Sequence, residues 1–240
     1  HKHVHLCEYN PFEAVKTNIL GTQNIIDAAL HNNIHKFVFI STDKAANPIG
    51  TLGASKLLGE KITTAANNYK GDSKTIFSSV RFGNVTMSNG SVIPMFINQI
   101  KNDLPITITS SKMTRFLMPI EKAVDLIFKA TGMMQGGEVF VLKMKSVNME
   151  DLARGLVDEF NVTNRGNERK IKIQKIGRRP GEKIHEELLV EEESGRVVEH
   201  DDMIVILPAT GSLEENGIEK FGIKFKKINP KMYSSDYKIM

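Results

Sequence analysis

Two short apolar runs with a helical stripe between them constrain this chain more than anything else in it. Lys36-Phe-Val-Phe-Ile-Ser41 and Thr75-Ile-Phe-Ser-Ser-Val-Arg81 each read as a buried strand. Between them come a loop with Asn47-Pro48 and Gly50, then Ala54, Leu58, Ile62, Ala65 and Tyr69 on one helical stripe. Strand, helix, strand with so long a connection is a parallel βαβ unit. Behind Pro11, the residues Val15, Ile19, Ile26 and Leu30 recur at helical spacing and predict a further helix over about 11–31. The fold class is therefore α/β, a Rossmann-like, doubly wound parallel sheet. Ligands in such sheets sit beyond the C-terminal ends of the strands. Chemistry is expected just after Ile40 and just after Val80.

From about residue 90 the pattern loosens. Helices are predicted near 91–101, 120–133 and 148–159, and short strands near 105–109, 138–142, 170–175 and 203–207. Gly136-Gly137 reads as a turn, and 161–168 as a polar loop. Residues 1–90 are thus read as the C-terminal part of a dinucleotide-binding domain, and 91–240 as mostly a smaller, substrate-binding lobe. A dinucleotide-binding sheet needs a glycine-rich turn after its first strand, so that backbone can approach the pyrophosphate. No such cluster stands near His1. Either the protein binds no dinucleotide, or the sequence lacks the first βαβ units of its sheet.

Composition removes several classes. A chain of 240 residues, 40% hydrophobic and 25% charged, is an ordinary globular protein. No apolar run approaches the roughly 20 residues of a membrane span. One cysteine, Cys7, excludes an internal disulfide framework and fits a reducing cytoplasm. The net charge of +4 comes with 28 interspersed acidic residues and only short basic clusters such as Lys224, Lys226 and Lys227. No nucleic-acid partner is expected on that pattern. His3, His5 and Cys7 alternate, as ligands on an extended segment would, but no fourth ligand is evident and no metal is expected.

The densest chemistry lies in Ser41-Thr-Asp-Lys-Ala-Ala-Asn-Pro-Ile-Gly-Thr-Leu-Gly-Ala-Ser-Lys56. Thr42, Asp43 and Lys44 follow directly on a strand end, where an acid and an amine side by side can divide proton transfers between them. On the triplet alone, a surface turn with an incidental ion pair is the plainer reading. Lys56 shares a helix face with Leu52, four residues earlier, and either enters the same crevice or is a solvated helix lysine. Asn84 follows the second strand, as a ligand-facing amide or a turn residue.

Strand-Ser-Thr-Asp-Lys-Ala, Asn-Pro and Gly-Ala-Ser-Lys together resemble the active-site segment of the UDP-N-acetylglucosamine 4,6-dehydratases, enzymes of the extended short-chain dehydrogenase/reductase type. The similarity continues through Phe12-Glu-Ala-Val-Lys-Thr-Asn-Ile-Leu-Gly-Thr22, Arg81-Phe-Gly-Asn-Val85, Gly90-Ser-Val-Ile-Pro94, Met113-Thr-Arg-Phe116, Gly136-Gly-Glu-Val-Phe140, Arg179-Pro-Gly-Glu-Lys183 with His185-Glu186, and Tyr233-Ser-Ser-Asp236. The resemblance implies a lyase that acts on a UDP-N-acetylhexosamine for surface polysaccharide or glycan synthesis, with NADP or NAD as recycled cofactor. It implies Lys44 as the base at sugar C5, Asp43 as the acid at the C6 oxygen, and Thr42 on the C4 hydroxyl. Ser41, Thr42 and Lys56 would bind the cofactor, Lys56 on the nicotinamide ribose and also catalytic, supplying positive charge to the oxidation site. Asn84 would contact the sugar or diphosphate; Arg115 and Arg179 either grip the diphosphate, since a planar guanidinium suits phosphate, or make surface or interlobe salt bridges. Glu182, Lys183, His185 and Glu186 are either further substrate contacts or a structural charge cluster. A homo-oligomer, no metal and no membrane span complete the expectation.

Two features depart from the family pattern. Relatives carry the glycine-rich turn ahead of the point where this sequence begins. Short members carry a tyrosine where Leu52 stands, and leucine cannot titrate; Thr42 and Asp43 would then relay the C4 hydroxyl proton. Two alternatives stay open: a nucleotide-sugar epimerase of the same superfamily, and a non-catalytic, partner-binding relative.

Overall fold

The computed structural model describes residues 1–164, 170–200, 202–209 and 233–237. The expected βαβ unit is present: strand β1 (Lys36–Thr42), helix α4 (Thr51–Tyr69) and strand β2 (Ile76–Phe82). β1 and β2 run parallel in the register Lys36 to Ile76 through Thr42 to Phe82. Strand β6 (Val139–Leu142) joins β2 in parallel; β10 (Met203–Ile206) and β9 (Val197–His200) continue antiparallel. The five-stranded order is β1-β2-β6-β10-β9. Three of these strands come from beyond residue 90, so the main sheet crosses the division drawn there from sequence.

β2 is buried from Phe77 to Arg81, as a strand covered on both faces must be. Its alternation decides what covers each face. Phe77 packs with Ile26 and Ala29 of α3 (Gly21–His31) and Ala66 of α4. Val80 belongs to the largest core cluster, with Leu126 and Ala130 of α6 (Ile120–Met133) and with Phe140, Ile204 and Val205. Arg81, on the Phe77 face, meets Glu60 of α4.

A smaller assembly stands beyond the strand ends. β3 (Asn84–Val85) pairs in parallel with β5 (Thr114–Met118), which pairs antiparallel with β7 (Ser146–Asn148). β4 (Ile106–Ile108) pairs in parallel with β8 (Ile173–Lys175). α5 (Val92–Lys101) and α7 (Met149–Thr163) close a second core around Phe96, Ile100, Ile106 and Ala153. α7 begins at Asn148, whose side chain accepts from the backbone N–H groups of Glu150 and Asp151.

Three local expectations change. The 11–31 helix is present, but its course is α2 (Pro11–Ala14), one π-helical stretch over Val15–Leu20, then α3. The buried Asn18 of that stretch donates to Ser55 Oγ of α4 at 3.0 Å. The His3–Cys7 segment is not extended; Val4–Tyr9 form helix α1. Val4 and Cys7, three residues apart, share a face and pack on Ala14 and Leu52, while residues two apart diverge. The predicted polar loop is helical through Thr163; residues 165–168, like Lys224, Lys226 and Lys227, lie outside the described residues. Among the described residues, no helix is long and apolar enough to cross a membrane.

Candidate active site

β1 ends at Thr42, and the chain turns at once into a single 3₁₀ turn, Asp43–Ala45, carrying the acid and the amine. The turn is pressed onto α4 at Gly53. Any Cβ there would collide with the carbonyl oxygen of Lys44. Asp43 is fully buried. Its Oδ1 accepts from Thr42 Oγ1 at 2.9 Å and from Lys44 Nζ at 2.9 Å. Asp43 Oδ2 is buried with no hydrogen-bond partner among the described residues.

Lys44 Nζ also donates to Asn84 Oδ1 at 3.1 Å and stands 3.4 Å from Glu186 Oε1. Burial pushes the pKa of this ammonium down and Arg115 adds to that effect. Asp43 and Glu186 outweigh both, and Lys44 ends above the ordinary lysine value. The amine is therefore charged at neutral pH in the resting site.

Thr42, Lys44 and Asn84 open into a cavity of about 540 Å³, also lined by Ser41, Leu52, Lys56, Arg115 and Arg179. That volume suits a ligand of cofactor or substrate size. Its far wall is apolar, with Phe96, Ile108, Met113 and Met149. A second cavity, of about 10 Å³, lies beside Lys44 against Leu52, Gly181, Lys183 and Glu186 and has room for about one water.

The expected site residues thus converge, with differences of detail. Lys56 Nζ donates to the carbonyl of Ile40 at 2.9 Å and lies 4.8 Å over the Phe39 ring. Burial lowers its pKa, against the opposing pull of Glu60 and Cys7. Ser41 Oγ is buried without a hydrogen-bond partner among the described residues. Leu52 forms a wall of the cavity, its body packed on Cys7 and Ala14. Arg179 is exposed on the cavity's rim. Arg115, in contrast, is buried and spends its guanidinium inward: Nη1 donates to the carbonyls of Thr114 and Ile184, Nη2 to that of Lys183, and Nε lies 3.7 Å from Glu186.

In the sequence, Glu186 is open between substrate contact and structural charge. The structure makes it a carboxylate shared by Lys44 and Arg115, 1% exposed. Lys183 binds the carbonyl of Ala46 at 2.7 Å, fastening the same segment over the 3₁₀ turn. Arg81 is buried with Glu60 and Glu193, a network that sequence spacing does not reveal.

The model of a family described as polysaccharide biosynthesis protein matches residues 1–208. The chain belongs to that family. An uncharacterized membrane protein of Methanocaldococcus jannaschii is 48% identical over 98% of this chain and 67% of its own length. A UDP-N-acetylglucosamine 4,6-dehydratase (inverting) of Campylobacter jejuni is 39% identical over 98% of this chain and 69% of its own. A UDP-glucose 4-epimerase of Rickettsia rickettsii is 43% identical over 81% of this chain and 55% of its own. Among solved structures, Pen from Bacillus thuringiensis superposes with a TM-score of 0.85 at 43% identity, covering 98% of this chain and 68% of that one. The dTDP-glucose 4,6-dehydratase DesIV from Streptomyces venezuelae, solved with NAD and TYD bound, superposes with a TM-score of 0.66 over 77% of this chain and 60% of its own. At 16% identity it shows the fold alone, the Rossmann-type α/β architecture expected from the sequence.

Proposed function

We propose that this polysaccharide-biosynthesis relative carries the catalytic centre of a nucleotide-sugar 4,6-dehydratase acting on UDP-N-acetylglucosamine or a similar UDP-N-acetylhexosamine. The observation that carries the reading is the continuous chain Thr42 Oγ1, Asp43 Oδ1, Lys44 Nζ, with links of 2.9 Å and 2.9 Å, at the end of β1 and beside a large cavity. The Campylobacter relative's name and coverage support it.

The residues around the cavity fit a nicotinamide. Ser41 Oγ is an orphaned buried hydroxyl near the end of β1, and the Lys56 amine binds the carbonyl of the adjacent Ile40. When bound, a nicotinamide cofactor, NADP or NAD, supplies hydride acceptance at sugar C4 and hydride return at C6. Everything else falls to the chain's own groups. Thr42 accepts the C4 hydroxyl proton and passes its own to Asp43, which starts as the carboxylate. The resulting ketone acidifies C5; once Asp43 is neutral, Lys44 releases its resting proton to solvent through the cavity it lines and, as the free amine, takes the C5 proton. Asp43, buried behind the cavity wall, then gives its proton back through Thr42 Oγ1 to the departing C6 oxygen, which leaves as water, and Lys44 returns a proton to C5. Neutralising Asp43 in the first step removes one of the two anions that hold Lys44 charged. The lysine thus becomes a readier base when the ketone forms.

Leu52 closes the crevice without titrating, which leaves the Thr42–Asp43 route for the C4 proton. With Arg115 turned inward, the exposed Arg179 is the side chain best placed to meet a diphosphate at the rim. Intracellular assembly as a homo-oligomer belongs to the same proposal.

The Rickettsia relative's name supports a second reading, epimerisation at C4, which leaves the C6 hydroxyl in place. Incubating the intact protein with UDP-N-acetylglucosamine and NADP or NAD, with proton NMR of the products, separates the two. A C6 methyl signal supports dehydration. UDP-N-acetylgalactosamine without that methyl supports the epimerase and rejects the dehydratase.

A further inference from the structure

Lys44 is the group whose protonation the proposed reaction depends on, and its neighbours can be named on every side. Thr42 and Asp43 stand on its own turn and Asn84 on β3; Arg115 approaches from β5. α4 contributes Leu52 and Gly53, which do not titrate. The segment after Gly181 contributes Lys183, occupied by the Ala46 carbonyl and Glu187, and Glu186. Asp43 changes its proton count in the proposed reaction. Glu186 is then the anion beside Lys44 that stays fixed.

Its surroundings are those of a held group. The Glu186 backbone N–H donates to Ser235 Oγ at 2.8 Å, and its carbonyl accepts from the Ser235 N–H at 2.8 Å. Leu188 N–H donates to the Tyr233 carbonyl at 3.0 Å, and Ser235 Oγ meets Thr114 Oγ1 at 2.7 Å. The 233–236 segment is thus a strap that clasps the backbone at Glu186 and Leu188. Arg115, fixed by three backbone carbonyls, flanks the carboxylate at 3.7 Å. The second carboxylate oxygen, Oε2, is buried with no hydrogen-bond partner among the described residues. Keeping a carboxylate under-satisfied at 1% exposure is costly, and an apolar residue would fill the space more cheaply. What the charge does there is face Lys44.

We propose that Glu186 is a positioning residue of this site: its carboxylate holds the Lys44 amine against Asp43 and Asn84 and governs the amine's readiness to take the C5 proton. The proposal rests on the dehydratase reading for the word C5, but the link between Glu186 and Lys44 can be read without turnover.

The test follows Lys44 directly. In the intact protein, with lysines carbon-13 labelled at Cε and the Lys44 signal assigned through Lys44→Arg, its titration is recorded by NMR for wild type, Glu186→Gln and Glu186→Asp. The pH dependence of kcat is measured on the same three proteins. Glu186→Gln keeps the shape and removes the charge, so Lys44 should titrate lower by about one unit or more. The acidic limb of kcat should move down by the same amount. Glu186→Asp keeps the charge but draws it back, so it should show a smaller shift in the same direction. A Lys44 titration unmoved in both variants overturns the proposal, whatever the activity. So does a shift as large in the aspartate variant as in the glutamine variant, because charge would not be the cause. If the glutamine variant fails to fold, the aspartate variant alone decides, and an unmoved titration overturns. A shifted titration with an unmoved kcat limb overturns the catalytic half. A shifted titration in a wild type that forms no dehydrated sugar supports the Glu186–Lys44 link and rejects the dehydratase reading instead.

Discussion

Arg81 grips Glu60 with two parallel hydrogen bonds, Nε to Oε1 at 3.0 Å and Nη2 to Oε2 at 2.7 Å, both side chains being buried. The remaining N–H groups go to Glu193, at 3.0 and 2.9 Å, and to the Leu188 carbonyl at 2.9 Å. All five guanidinium donors are thereby used. The arrangement ties β2 to α4 and to the segment that carries Glu186. Replacing Arg81 with methionine strands two buried carboxylates. It should lower unfolding stability in urea by about 3–5 kcal/mol, and a loss of about 1 kcal/mol or less would contradict this account of the network.

Gly53 should be as sensitive for a different reason. A methyl group there meets the Lys44 carbonyl, and the 3₁₀ turn has to move away from α4. Gly53→Ala should cost about 100-fold in kcat, the scale of an ångström-sized misplacement. Binding of the diphosphate part of the substrate, measured with UDP by calorimetry, should change little. Activity near wild type would show that the turn tolerates displacement.

Thr42→Val removes the relay hydroxyl at nearly constant volume. It should lower the dehydration rate by about 10²–10⁴-fold, the usual range for proton-transfer assistance. Leu52→Tyr should change little or slow the enzyme, since Leu52 already fills its place against Cys7 and Ala14. Rates of product formation for both variants check this. Full activity in Thr42→Val removes the relay.

The placement of the Asp43–Ala45 turn is open to sequence reading because strand ends are. The apolar runs of β1 and β2 mark a parallel pair, and parallel pairs present their C-terminal ends to ligands. That places Thr42, Asp43, Lys44 and Asn84 at strand ends; their roles rest on the family resemblance. Glu186 gains its meaning only when a segment 142 positions after Lys44 folds back over the turn, and no local periodicity encodes such a return. β3, β7 and β9, of two to four residues, are too short to carry a period. At α1, alternation suggested an extended segment. Tertiary burial of Val4 and Cys7 against Leu52 and Ala14 favours the helix instead.

The raised pKa of Lys44 also predicts a pH dependence of stability. A lysine whose native pKa exceeds its unfolded value contributes stability that is complete below the unfolded value, about 10.4. That contribution is lost as pH rises through the native value. Wild type should lose stability across this alkaline window more steeply than Lys44→Met, in urea titrations from neutral to strongly alkaline pH. Parallel curves would show that Lys44 is not held charged by Asp43 and Glu186.

The proposed role of Lys44, moving the C5 proton, is checked by hydrogen exchange at C5 of UDP-N-acetylglucosamine in heavy water, with intact wild type and Lys44→Ala compared. Wild type should release a 4-keto-6-deoxy sugar carrying deuterium at C5. Lys44→Ala should bind the nicotinamide cofactor as wild type does, yet leave C5 unexchanged and C6 oxygenated. Deuterium at C5 at the wild-type rate in Lys44→Ala would contradict the assignment.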